Sequence, residues 1–223
     1  MKKTLTFLAA SALALAAGSA AAQSAGSYIV RLGATHIGPE VKSGDLSAPS
    51  FPGTTIDVGG NTALTGGITY MWTDHISIDL PLGLAFKNKV TGTGAIQGVG
   101  ELATVRALPA TLLGQYRFGE ATSRFRPYVG AGAVYAYFYH ADSTAALSGL
   151  TGGTPSNPTL MRMDSSAGPA LQIGASYQVA NRWSVDFNLI QTFLKTTGHL
   201  STGQNIDVTL NPLAAQVAVG YRF

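Results

Sequence analysis

The chain has 223 residues, of which 46% are hydrophobic and only 11% charged, with 27 glycines and no cysteine. Charge this sparse is unusual for a soluble domain, where roughly a quarter of residues are charged, and without cysteine no disulfide framework is available. Fourteen basic residues face eleven acidic ones, and two of the basic residues are Lys2 and Lys3; no basic tract for nucleic acid remains.

Residues 1–22 read as a secretory signal peptide: Lys2-Lys3, an apolar run over 5–17, then Ala20-Ala21-Ala22 before Gln23. The run is too short to span a bilayer comfortably, and with no cysteine after it a lipid-anchored lipoprotein is excluded. Cleavage before Gln23 leaves 23–223, a length that suits one domain. No later apolar run approaches the ~20 residues of a membrane helix. A low-charge, glycine-rich exported chain without such helices points to a closed β-barrel, the other structure that satisfies its backbone in lipid.

The period-two signal of strands recurs along the mature chain. One face of a first strand is Tyr28, Val30, Leu32 and Ala34; a second has Leu64, Ile68, Tyr70 and Trp72. The clearest is 76–86, where Ile76, Ile78, Leu80, Leu82, Leu84 and Phe86 alternate with Ser77, Asp79, Pro81, Gly83 and Ala85. Further strands carry Leu108 to Phe118, Val129 to Tyr137, Leu171 to Val179, Trp183 to Phe193, and Leu213 to Phe223. Short turns near 73–75, 119–124 and 180–181 alternate with long segments near 36–61, 87–101, 140–164 and 196–206. This predicts an all-β fold, an eight-stranded antiparallel transmembrane β-barrel with short periplasmic turns and long extracellular loops. Tyr70-Met-Trp72, Tyr116-Arg-Phe118 and Tyr221-Arg-Phe223 end strands at one level and predict an aromatic girdle there. A soluble lipocalin-like barrel is the competing fold, but its exterior would need more charge than the opposite faces here provide.

The lumen-facing positions divide in two. The lower lumen receives Asp79, Arg117, Asp186 and Arg222, and opposite charges at similar depth are expected to pair into a plug. The upper lumen receives Val105, Leu113, Ile190, Leu194, Val208 and Leu210, with Phe51, Met161 and Met163 capping the same region. These residues either line a dry pocket for an apolar solute or fill a small barrel's interior. Pro109, Pro169 and Pro212 fall near the outer interface of three strands; lacking an N–H, they are expected to weaken wall pairing and permit lateral exit into the bilayer, or to mark where the wall ends.

Other candidates carry less. His36, His140 and His199 share the long-loop rim without a ligand motif, so no metal site is assigned. The glycine-rich stretch 92–100 has no helix signal after it, so no dinucleotide cofactor is assigned. Ser148, Ser156, Ser165 and Ser201 lack a local catalytic motif, and no catalytic residue is assigned. A lipid-modifying or proteolytic barrel, and a structural or adhesive one, stay open as alternatives to a conduit.

The segments 104–119 (TVRALPATLLGQYRFG) and 125–135 (FRPYVGAGAVY), with 69–80, 181–186 and the GYRF end, resemble the OmpW family of outer membrane proteins. The resemblance covers nearly all of the chain outside the long loops. It implies an eight-stranded barrel in the outer membrane lipid and passage of small hydrophobic molecules across that membrane. It also implies that Tyr221 and Phe223 are read by the barrel-assembly machinery.

Overall fold

Because side chains alternate sides along a strand, parity alone assigns each residue to lipid or lumen. The computed structural model, which describes residues 23–223, follows that rule around a closed ring. The signal-peptide reading of 1–22 lies outside the described residues. The wall consists of β1 (Tyr28–Gly38), β4 (Asn61–Met71), β5 (Ile76–Gly83), β7 (Glu101–Arg117), β8 (Phe125–Ser143), β10 (Ser166–Gln178), β11 (Trp183–Thr192) and β14 (Leu213–Arg222). Each pairs antiparallel with the next, and β1 pairs with β14 from Ile29–Arg222 to Gly38–Leu213, which closes the barrel.

Leu32, Leu64, Leu112, Leu171, Ile173, Phe187 and Val217 all stand outward, exposed to lipid. At the periplasmic end the aromatics meet in pairs: Tyr28 with Tyr70 at 4.8 Å between centroids, Tyr116 with Phe118 at 5.1 Å, and Tyr221 with both Trp183 and Phe223 at 4.8 Å. Such contacts contribute about 0.5–1.5 kcal/mol each beyond area burial. The girdle expected from the repeated Tyr-Arg-Phe is therefore a set of packed pairs.

Two differences from the sequence reading concern the outer half. The third wall strand stops at Gly83, and Phe86 turns inward and becomes buried. The long segments are also ordered. They add β2 (Val41–Ser43), β3 (Thr54–Val58), β6 (Phe86–Gly94), β9 (Met161–Met163), β12 (Leu194–Leu200), β13 (Asn205–Leu210) and the short helix α1 (Ala145–Thr151). Strands β3 and β6 extend the barrel sheet, and β2-β13-β12-β9 form a second sheet beside it. Ile56, Val90, Leu102, Leu147, Met161, Ile206 and Val208 pack between them as a hydrophobic core. Burial of these side chains, worth about 1.5–3 kcal/mol each, is what orders segments too rich in Gly, Ser and Thr to read as strands.

Candidate functional site

The lower lumen is filled by a polar cluster. Its centre is Arg31 on β1, whose Nη2 donates to Asp79 Oδ1 at 2.5 Å and whose Nη1 donates to Asp186 Oδ1 at 3.0 Å. Thr69 adds a bond to Asp79 at 2.7 Å; Tyr128 and Asn188 add bonds to Asp186 at 2.9 and 3.0 Å. Buried charges persist only when paired and hydrogen-bonded in this way. Arg31 sits opposite Gly67 on β4 and Gly220 on β14. A Cβ at Gly67 would lie 2.9 Å from Arg31 Nη2, so glycine there makes room for the guanidinium.

The expected pairing is corrected in its cations. Arg117 is buried but contacts no carboxylate; it donates to Gln115 Oε1 at 2.8 Å and Ser77 Oγ at 3.2 Å and lies 4.5 Å over the Tyr128 ring. Arg222 donates to the Asn181 carbonyl at the periplasmic turn. Both sit nearer the barrel end than the aspartates, so Arg31 reaches them first. Below, Arg126 donates to the carbonyls of Gln23 and Asp74, and Gln23 Nε2 donates to Ser176, which draws the start of the described chain across the opening. Neither Arg31 nor Arg126 was singled out from sequence, although odd parity on β1 already turned Arg31 inward.

Above the cluster lies a lumen cavity of about 130 Å³. Val105, Ile190, Leu194 and Leu210 line it, joined by Phe86 and Val58; Thr35, Thr65, Asn188 and Gln216 form its polar floor. Leu113 is buried but lies lower, opposite Asp79. Phe51 departs from expectation: it is 81% exposed and lines a separate apex cavity of about 380 Å³. The two cavities stack. Strand β3 gives Ile56 to the apex and Val58 to the lumen, and β9 gives Met161 and then Met163. On β13, Ile206 faces the apex and Leu210 the lumen, with buried Val208 between them, while Val90 touches both cavities. Two residues of strand advance about 6.6 Å, so one side-chain layer separates the cavities.

The lumen cavity has a break in its wall. Pairing of β5 with β7 ends at Asp79–Leu113, and β7 is next paired on that side by β6 at Phe86–Ala107. Residues 80–85 therefore face 108–112 without a ladder. The Arg117 N–H donates to His75 and the Phe118 N–H to Pro127, so odd residues of β7 point their backbone at β5. Ile76 accepts from Thr73, so odd residues of β5 point back. Pro109 and Pro81 thus both turn their imino nitrogens into the break, where neither can donate a ladder bond. Pro81, Leu82, Gly83, Pro109 and Thr111, which border the break, all line the cavity.

The other two prolines do not interrupt the wall. Pro169 pairs with Ala133 inside a continuous β8–β10 ladder, and its carbonyl accepts from Phe193. Pro212 lines the cavity, but its carbonyl accepts from the Thr192 N–H in the β11–β14 seam. Pro81, which sequence did not single out for this role, takes their place.

Among the remaining candidates, Ser148 Oγ accepts from the Thr159 N–H and Ser201 Oγ from the Leu160 N–H, both loop-fastening bonds. His199 bonds Asp164 at 2.9 Å and Asn205 at 2.7 Å. The Asp164 bond holds the imidazole above its usual range, and Asp164 lies below its own.

A closed eight-stranded barrel with a lipid-facing apolar belt, an aromatic girdle at its periplasmic end and a polar lower lumen defines an integral outer membrane β-barrel. Residues 24–223 match the OmpW family model, and the chain belongs to that family. It is 34% identical to outer membrane protein W of Escherichia coli (strain K12), with 99% of this chain and 100% of that protein covered. It is 28% identical to the dibenzothiophene metabolism operon protein PahQ of Pseudomonas aeruginosa over 80% of this chain and 79% of that protein. Its fold matches the crystal structure of OprG from Pseudomonas aeruginosa with a TM-score of 0.82 at 26% identity, covering 91% of this chain and 98% of that one.

Proposed function

We propose that this barrel carries small hydrophobic molecules from the cell exterior into the outer membrane bilayer. The observation that carries the reading is the apolar lumen cavity that lies above the charged cluster and borders the unpaired stretch between β5 and β7. An apolar solute gains about 25 cal/mol per Å² of surface removed from water, so it enters the apex cavity and passes the Val90 layer into the lumen. Continuing down would require it to displace the Arg31–Asp79–Asp186 cluster, whose charges are costly to unpair. The sideways route leads instead to lipid, at a level where Pro81 and Pro109 each withhold an N–H from the ladder. The relationship to a protein of a dibenzothiophene metabolism operon supports a fused aromatic or similarly apolar solute.

Uptake of dibenzothiophene by cells with and without the protein tests the reading. Expression is expected to raise the initial rate, and the Pro81→Ala/Pro109→Ala variant to lower it by restoring the two N–H groups. Pro212→Ala is expected to leave it unchanged. Equal rates with and without the protein would overturn the proposal; wild-type rates in the double variant would leave a conduit without this exit.

A further inference from the structure

We propose that the outer face of the barrel carries a binding site for the phosphate of a membrane lipid headgroup, formed by Lys87 on β6 and Arg106 on β7 beside Tyr139 on β8. The site stands apart from the lumen and does not depend on the conduit reading.

Three adjacent strands bring the row together. Lys87 pairs with Arg106, and Arg106 with Tyr139. Their neighbours Phe86, Asn88, Val105, Ala107 and Phe138 line the lumen cavity, so by alternation Lys87, Arg106 and Tyr139 point outward. Lys87 is exposed and Arg106 partly so. Like charges directly opposite one another on paired strands repel, and among the described residues neither cation forms an ion pair. The nearby acids are already engaged. Lys87 acts on Glu101 at a distance, but Glu101 Oε2 is bonded by Lys89 at 2.9 Å and Oε1 by Thr104 at 2.6 Å. Asp142, one row further out opposite Thr104, contacts His140 at 3.5 Å.

Height decides what the two cations meet. Arg106 lies eleven residues along β7 from Arg117 at the periplasmic end. At about 3.4 Å per residue and a tilt near 45°, the rise is roughly 26 Å, which matches the apolar band of an outer membrane barrel, about 25 Å tall. The outward side chains just below are Leu108, Leu112, Tyr135 and Tyr137, all exposed, and the Tyr139 ring stacks on Tyr137 at 5.7 Å. Lys87 and Arg106 therefore stand where hydrocarbon gives way to headgroups. A phosphate there relieves the repulsion between them and gives both charge-assisted hydrogen bonds, while the acyl chains of the same lipid lie on the apolar belt below.

Native mass spectrometry of the purified full barrel, titrated in detergent with diphosphoryl lipid A, tests the site. Lys87→Gln/Arg106→Gln is expected to weaken binding roughly thirtyfold, as for two basic side chains at an anionic lipid surface. Lipid A stripped of its phosphates should bind the wild type as weakly as the phosphorylated lipid binds the variant. Lys42→Gln/Lys195→Gln, which removes the same charge from the second sheet, should leave binding unchanged. Inorganic phosphate at the lipid's concentration should not displace it. If the double variant loses its heat-modifiable folded band, Lys87→Gln alone supplies the readout, with a roughly fivefold loss. Equal binding of phosphorylated and stripped lipid, unchanged affinity in the Lys87→Gln/Arg106→Gln variant, or an equal loss in the Lys42→Gln/Lys195→Gln variant overturns the proposal. Displacement by inorganic phosphate also overturns it, in favour of a site for soluble anions.

Discussion

Replacing Arg31 with methionine should destabilise the barrel by about 3–5 kcal/mol, the cost of breaking a buried ion pair by removing one partner. The guanidinium bonds Asp79 at 2.5 Å and Asp186 at 3.0 Å, and all three side chains are 3% exposed or less. Methionine keeps most of the stem but leaves two carboxylates in one dry lumen. The loss is bounded because Thr69 still donates to Asp79, and Tyr128 and Asn188 still donate to Asp186. Asp79→Asn, which keeps the Arg31–Asp186 contact, should cost less, about 1.5–3 kcal/mol for a hydrogen bond to charge. The double variant should cost less than the sum of the singles, because its members share one network. Urea unfolding in lipid vesicles measures all three, read from Trp72 and Trp183, which stand exposed in the periplasmic girdle. A loss under about 1 kcal/mol for Arg31→Met, in the range of an exposed ion pair, or strict additivity, would refute the reasoning.

Deleting Phe223, whose N–H donates to Tyr28 at the closing seam, should reduce membrane insertion in cells more than Phe118→Ala does; equal yields would leave Phe223 only its place in the girdle. Val90→Phe should overfill the layer between the two cavities and slow solute uptake, by roughly tenfold if overpacking adds about 1.4 kcal/mol to passage, with the folded band on gels unchanged. The His199–Asp164 bond is charged and strongest between the lowered Asp164 range and the raised His199 range. The contribution of raised His199 is present at lower pH and fades as pH rises through its folded value; that of lowered Asp164 fades as pH falls through its own. Amide protection of Asp164, which donates to Thr197, should therefore decline on both sides of that window, and His199→Gln should remove the dependence.

Parity made the wall legible. Ile76, Ile78, Leu80 and Leu82 read as outward from the sequence, and they are exposed to lipid. The same parity turned Asp79, Arg117 and Asp186 inward. Which cation meets Asp79 was not legible, because it depends on reach across the lumen from β1 rather than on neighbours along the chain. Pro109 was visible as a ladder breaker, but Pro81 acquires that meaning only because its nitrogen faces β7. Pro169 and Pro212 show the converse: a proline whose carbonyl still accepts a bond leaves the wall closed. The order in the long segments escaped because it arises from Ile56, Val90, Met161 and Ile206, which are far apart in sequence and meet only after folding.

The central claim, a sideways exit between β5 and β7, is tested most directly by bridging the break. Leu82 and Ala110 stand on its two sides, and the chain contains no cysteine of its own. The Leu82→Cys/Ala110→Cys variant, bridged by a short reversible bifunctional thiol reagent, should lose dibenzothiophene uptake and regain it on reduction. Uptake at the unbridged rate with the bridge complete would contradict the account.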